Sequence, residues 1–242
     1  MLSLVIPMYN EEKRIADTIE KCIEKSREVK GGLEIIIVND GSTDQSLSVA
    51  QKYSGFNTTV LSYNKNQGKG QAVKTGVLAA KGDLIAYTDA DLAYGLGMLS
   101  DALELYYKSK ADIVIGNRHI HPESLKKYTP IRRAASLTFS FMLRRVLGLG
   151  FDDSQCGFKL FSAEAAKKIF SEVTVKGYAF DFEVLMIAER MGYKIEEIAA
   201  VILNHGTSSV HVVRDSYRIL RDAASVRRSV ERRFPAKGGS DI

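Results

Sequence analysis

The chain has 242 residues, 45% hydrophobic and 26% charged, enough for one large α/β domain or a domain with an appendage. Cys22 and Cys156 lie far apart and without metal-binding spacing, which excludes a disulfide framework and points to a reducing compartment. A net charge of +5 and a pI near 9.0 suit anionic lipid headgroups or phosphorylated ligands; nucleic acid lacks support, because no aromatic platform, zinc pattern or helix-turn-helix signature accompanies the charge.

In chain order, the pattern predicts strands alternating with helices over the first half, the βαβ signature of a mostly parallel sheet. Leu2–Met8 reads as a strand, residues 11–29 as a helix with Ile15, Ile19, Cys22 and Ile23 at helical spacing, and 33–38 as a second strand. A turn at Asn39-Asp40-Gly41-Ser42 leads into a helix over 43–53. Thr58–Ser62 is a short strand, 64–70 a polar Gly-rich loop, 71–80 a helix and 84–88 a strand. A helix over 95–109 and a strand over 112–115 follow.

The rest is less regular. Residues 129–149 read as a helix with Pro130 in its first turn, 163–170 and 180–191 as helices, 193–203 as a strand and 210–234 as a long basic helix. The expected organisation is a catalytic domain over 1–209, that basic helix, and a disordered tail over 235–242. Met1 runs directly into LSLVIP, without the basic region or cleavage site of a signal peptide. No window approaches the roughly 18–20 apolar residues of a bilayer span. The expectation is therefore a protein that can lie on a membrane but does not cross it.

The chemistry concentrates at the C-terminal ends of the early strands. The apolar run LIAY ends in Asp89 and Asp91, separated by Ala90. Carboxylates at i and i+2 leaving a buried parallel strand can grip a hard divalent cation and leave positions for phosphate oxygens; a polar strand-to-loop turn is the plain alternative. Pro7, Tyr9 and Glu11 follow the first strand, Asp40 the second, and Gly68-Lys69-Gly70 the third. In a doubly wound sheet such loops converge on one crevice, and together they would form a nucleoside diphosphate site. The Gly-rich loop is not a P-loop, because Val73 precedes Lys74-Thr75 where glycine is required.

Six segments, IPMYNEE, IIIVNDGSTD, NQGKGQAVKTG, GDLIAYTDADL, IGNR and SQCGFKLF, resemble in order and spacing the family 2 glycosyltransferases, in the branch of the dolichyl-phosphate glucosyltransferases and mannose synthases. The resemblance covers about residues 2–204. It implies the α/β GT-A fold, a Rossmann-like nucleotide-diphospho-sugar transferase with a mostly parallel sheet flanked by helices. It implies that Pro7, Tyr9, Glu11 and Asp40 line the base and ribose pocket, with Lys69, Asp89 and Ala90 also at the nucleotide. Asp89 and Asp91 would hold Mg²⁺ or Mn²⁺, Arg118 with Arg132 or Arg133 would face the acceptor phosphate, and Gln155 and Gly157 would shape the sugar end. Asn39 stands where the family has an acid, and LNHGTSSV replaces the usual aromatic and Gly-Ser-Lys pattern, so His205 and Ser209 carry over weakly.

The implied reaction moves a hexose, glucose from UDP-glucose before mannose from GDP-mannose, to a polyprenyl or dolichyl phosphate. No base candidate follows Gln155, whereas a saccharide hydroxyl would need one. A lipid phosphate is its own nucleophile and needs arginines to hold it, and in-line attack would give a β-linked product. A transferase acting on a hydroxyl and a non-catalytic nucleotide-sugar-binding module are the alternatives. The apolar residues within 129–150, flanked by Arg132-Arg133 and Arg144-Arg145, fit either a membrane-surface helix or a packed core helix. The expected location is peripheral, at the cytoplasmic face of a membrane, with room for a homodimer or a membrane partner protein. His119, His121, His205 and His211 are scattered and make no metal site. Glu183 reads as support for the site, a cap or a solvated side chain.

Overall fold

The computed structural model describes residues 1–55, 57–121, 138, 141–151, 153–203 and 212–235, with 212–218 described by backbone alone. Seven strands form one sheet: β1 (Leu2–Met8), β2 (Leu33–Asn39), β3 (Thr58–Ser62), β4 (Leu84–Tyr87), β5 (Ile113–Asn117), β6 (Lys159–Ser162) and β7 (Ile195–Ala199). Their order is β3-β2-β1-β4-β6-β5-β7. All run parallel except β6, which pairs antiparallel with both β4 and β5. The helices are α1 (Ile15–Ser26), α2 (Ser46–Gln51), α3 (Lys69–Ala79), α4 (Gly97–Ser109), α5 (Ala163–Glu172), α6 (Phe180–Met191) and α7 (Val212–Arg233).

Side chains of a strand alternate between its faces, and the apolar runs of the central strands supply two cores at once. Leu4 and Ile6, Ile35 and Ile37, and Leu84 and Ala86 pack on one face with Ile15 and Ile19 of α1 and Leu99 of α4. Val5, Ile36, Val38, Ile85 and Tyr87 pack on the other with Val73 and Val77 of α3, Ile169 and Phe170 of α5, and Phe182 and Leu185 of α6. Burying each large aliphatic chain contributes about 1.5–3 kcal/mol, so continuous apolar strands belong at the centre of a sheet covered on both sides.

Four expectations are corrected. The sequence reading has no strand at 159–162, yet Lys159–Ser162 is β6; its reversed direction carries the preceding residues 154–158 to the edge where β4 and β5 end. The helix expected from residue 11 begins at Ile15, after a turn in which Glu11 N–H donates to Ser46 Oγ at 2.6 Å and Glu11 O accepts from Ile15 N–H at 2.9 Å. The helix expected from residue 71 begins at Lys69, after Gly68 at φ 102°, so Lys69 stands in a first turn, where the backbone presents positive charge. The strand expected over 193–203 is confined to Ile195–Ala199.

Within the segment expected as a helix over 129–149, residues 141–147 are helical and 122–137 lie outside the described residues. Leu143 and Leu147 are buried in the core, whereas Phe141 and Met142 are exposed. Arg145 lies over the Phe141 ring at 5.2 Å. α7 joins the same core through Ala223, Val226 and Val230, and Arg227 Nη1 donates to Val146 O at 3.0 Å. Among the described residues, no helix is long and apolar enough to cross a membrane.

Candidate active site

The ends of β1, β2 and β3 are held together by polar side chains that the turns make available. Asn10, in a left-handed conformation at φ 54°, accepts from Thr43 N–H at 2.8 Å and donates its own N–H to Ser42 Oγ at 3.0 Å. Asn39 Nδ2 donates to Ser62 Oγ at 2.9 Å, and Asn39 Oδ1 accepts from Ser42 N–H at 3.2 Å. The buried Asp40 carboxylate accepts from Gln67 N–H at 2.7 Å and Gly68 N–H at 2.9 Å, which fixes the loop leading to Lys69. Gly68 is required there: a Cβ would strike the Lys176 carbonyl, and Gly70 lies as close to Val175 O and Phe180.

Lys69 Nζ reaches Asp89 Oδ1 at 2.5 Å, the two side chains being 18% and 35% exposed. Burial alone would lower the ammonium's pKa, but Asp89 and Asp181 outweigh it and hold the group above its ordinary value. Asp91 is pushed up by burial and by the charge of Asp89; the Ala93 N–H it accepts at 3.1 Å, Arg14 and Lys69 oppose that shift. Burial raises Glu11 as well, against the pull of Arg14 at 2.9 Å and with the added repulsion of Asp91, Asp44 and Asp89. Ala90 is buried and its carbonyl accepts from Thr18 Oγ1 at 2.6 Å, fastening the carboxylate turn to α1. Pro7 lies in register with Val38, and Tyr9 is exposed.

Asp89 and Asp91 suit Mg²⁺ or Mn²⁺: they are two neighbouring oxygen donors whose mutual repulsion a divalent cation relieves. Among the described residues no group of three His, Cys, Asp or Glu side chains is set to hold a metal, so the other positions would fall to phosphate oxygens and water.

The turn before β6 completes the wall. Gly157 packs directly against Asp89, whose Cγ would lie 2.9 Å from any Cβ placed there. Gln155 is half-buried in that turn. Arg118, at the end of β5, makes a bidentate pair with the buried Asp153, Nε to Oδ2 at 2.7 Å and Nη2 to Oδ1 at 2.8 Å. Thus Glu11, Lys69, Asp89 and Asp91 are brought together, with Gly157 beneath them. Arg132, Arg133, His205 and Ser209 lie outside the described residues.

The sequence reading missed two supporting pairs and left the role of Glu183 open. Asp153, two residues before Gln155, was not paired with Arg118. Lys159 is buried against Asp181 at 2.5 Å, a partnership that a lone lysine within FKLF signals, since burying an unpaired ammonium is prohibitive. Glu183 is not solvated: it is fully buried and accepts from Thr174 N–H, Thr174 Oγ1 and Val175 N–H at 2.7–2.8 Å, and it pairs with Arg233 of α7.

Comparison with known proteins bears on this arrangement. The sequence profile of Glycosyl transferase family 2 matches residues 3–170. The human dolichyl-phosphate beta-glucosyltransferase is 35% identical over 218 residues, 82% of this chain and 66% of its own length. The enzyme of that name from Saccharomyces cerevisiae is 32% identical over 93% of this chain and 74% of its own. The chain spans 64–66% of the length of the human relative and of two from Trichomonas vaginalis. Among solved structures, mannosyl-3-phosphoglycerate synthase from Rubrobacter xylanophilus superposes with a TM-score of 0.69 at 18% identity, covering all of this chain and 77% of that one. Glucosyl-3-phosphoglycerate synthase from Mycobacterium tuberculosis, solved with Mn²⁺, UDP-glucose and phosphoglyceric acid, gives 0.66 at 19% identity, covering 94% of this chain and 79% of that one. The shared architecture is the GT-A fold.

Proposed function

We propose, from the premise that the chain belongs to glycosyl transferase family 2, that it transfers glucose from UDP-glucose to a polyprenyl phosphate of the dolichyl type. The observation that carries the reading is the pairing of Lys69 with Asp89, beside Asp91 and at the start of α3, at the sheet edge where β1, β2 and β4 end. The names of the curated relatives support the sugar and the acceptor, and the Mn²⁺ and UDP-glucose of the mycobacterial structure support the donor and metal.

In this reading Pro7, Tyr9, Glu11 and Asp40 line the base and ribose side, while Lys69 and the N-terminus of α3 face the diphosphate. Mg²⁺ or Mn²⁺ held by Asp89 and Asp91 would neutralise charge on the departing nucleoside diphosphate. Arg118, its guanidinium plane set by Asp153, faces the acceptor phosphate with Arg132 or Arg133. A phosphate oxygen attacks the anomeric carbon as its bond to the diphosphate oxygen breaks, and UDP leaves with the electron pair. The acceptor is already ionised, so no protein base has to take a proton at the attacking atom. Gln155 and Gly157 bound the sugar.

The membrane supplies the acceptor, and the exposed Phe141 and Met142 beside Arg145 support a peripheral placement in which apolar side chains meet the interface and guanidinium groups meet the headgroups. The test is the anomeric configuration of the product formed from UDP-glucose labelled at C1. A β-linked lipid phosphate, absent when Asp91→Ala replaces the wild type, supports single displacement. An α-linked product, or undiminished turnover by Asp91→Ala, contradicts it.

A further inference from the structure

Lysine is almost never fully buried without a partner, yet Lys159 is 0% exposed. Its ammonium donates to Asp181 Oδ1 at 2.5 Å, Cys156 O at 3.0 Å and Ser154 O at 3.3 Å, one acceptor for each of its three protons. It also lies 5.5 Å from the centroid of the Tyr87 ring, and the Tyr87 hydroxyl donates to the same Asp181 oxygen at 2.6 Å. One cation therefore ties together the last residue of β4, the first turn of α6 and the turn before β6.

The identity of the two carbonyls gives this cluster its direction. Ser154 O and Cys156 O bracket Gln155, and the next residue, Gly157, is the one packed against Asp89. Asp181 also acts electrostatically on Lys69, which pairs with Asp89. A buried ion pair is weak evidence for stability, since apolar or neutral replacements of both partners are often tolerated. What such replacements cannot reproduce is a single donor that holds two carbonyls of one tight turn. We propose that Lys159 is a positioning residue for sugar transfer: it clamps the 154–157 turn so that Gln155 and Gly157 keep one fixed placement against Asp89 and the sugar end of the donor. The inference rests on the transferase reading given above.

Lys159→Met alone leaves Asp181 buried without its cation and is expected to melt lower whatever its role. The informative variant is Lys159→Met/Asp181→Asn, which removes both charges and keeps an acceptor for Tyr87. Its melting temperature is expected to recover only part of that loss, because the Ser154 and Cys156 carbonyls stay without a donor, and its UDP-glucose affinity is expected to change less than kcat. Its kcat is expected to fall about tenfold or more, since small misplacements at a reacting centre are costly. Amide exchange in residues 154–158 is expected to accelerate, while β1 and β4 stay protected. A wild-type kcat, or unchanged exchange in the turn, overturns the proposal. If the wild-type protein itself makes no lipid-linked glucose, it is the transferase reading that fails, and the exchange measurement alone decides whether Lys159 clamps the turn.

Discussion

Lys69 Nζ and Asp89 Oδ1 stand 2.5 Å apart across the mouth of the site, so the lysine pairs with one oxygen of the carboxylate that the proposed function assigns to a divalent cation. On that proposal a nucleoside diphosphate would draw Lys69 to its own charge and leave Asp89 to the metal. Lys69→Met is therefore expected to have opposite effects on two ligands. Mn²⁺ binding without nucleotide tightens, because a competing cation is gone, whereas UDP-glucose binding weakens by about tenfold. Calorimetry with each ligand alone checks this, and equal weakening of both contradicts it.

Gly157 is held to hydrogen by the Asp89 carboxylate. Gly157→Ala is expected to displace Asp89 and to lower kcat about a hundredfold, by the cost of a displacement on the order of 1 Å. The melting temperature changes little, since the methyl group pushes on a partly exposed carboxylate and not on the core. Full activity in this variant would show that Asp89 has freedom the packing denies it.

The Arg118–Asp153 pair gives the protein a defined acid response. Burial would raise the Asp153 carboxyl, but Arg118 outweighs it and holds the group below the usual carboxylate range. A folded-state pKa below the unfolded one means that the unfolded chain binds more protons at acid pH. The stability is thus present above about pH 4 and is lost as pH falls through the depressed value. Asp153→Asn is expected to cost about 2 kcal/mol at neutral pH, less than a fully buried pair because Arg118 is 31% exposed. It should also flatten the acid limb of the melting curve. An unchanged acid limb contradicts this account.

Arg233, near the end of α7, also reaches the site through contacts. It pairs with the buried Glu183, which holds Thr174 and Val175, and the carbonyls of Val175 and Lys176 press on Gly70 and Gly68. Arg233→Met is expected to raise the KM for UDP-glucose several-fold, about 1 kcal/mol, with a smaller effect on the lipid KM. Equal changes in both would make α7 a general prop.

Much of this was legible in the residues. Period and punctuation located β1, β3 and α6, because Leu2–Met8 and Thr58–Ser62 are bounded by turn residues and Phe180–Met191 carries a helical apolar face. The carboxylate pair announced itself by ending an apolar strand. β6 was not legible, because Lys159 interrupts its apolar pattern and the acid that neutralises it lies 22 residues away. Glu183 was ambiguous for a related reason: its donors are backbone N–H groups of a loop and a guanidinium from another helix, and neither leaves a local pattern. The helix starts at Ile15 and Lys69 were misplaced because cross-loop hydrogen bonds and a glycine at positive φ set them.

The central claim is tested most directly by product formation from purified protein, Mn²⁺ and a short polyprenyl phosphate, with UDP-glucose, GDP-mannose and UDP-N-acetylglucosamine offered separately. Glucose on the lipid from UDP-glucose alone, lost on chelation and restored by added metal, is the predicted result. Donor binding without any lipid-linked sugar, or a lipid product from GDP-mannose in preference, would contradict the account.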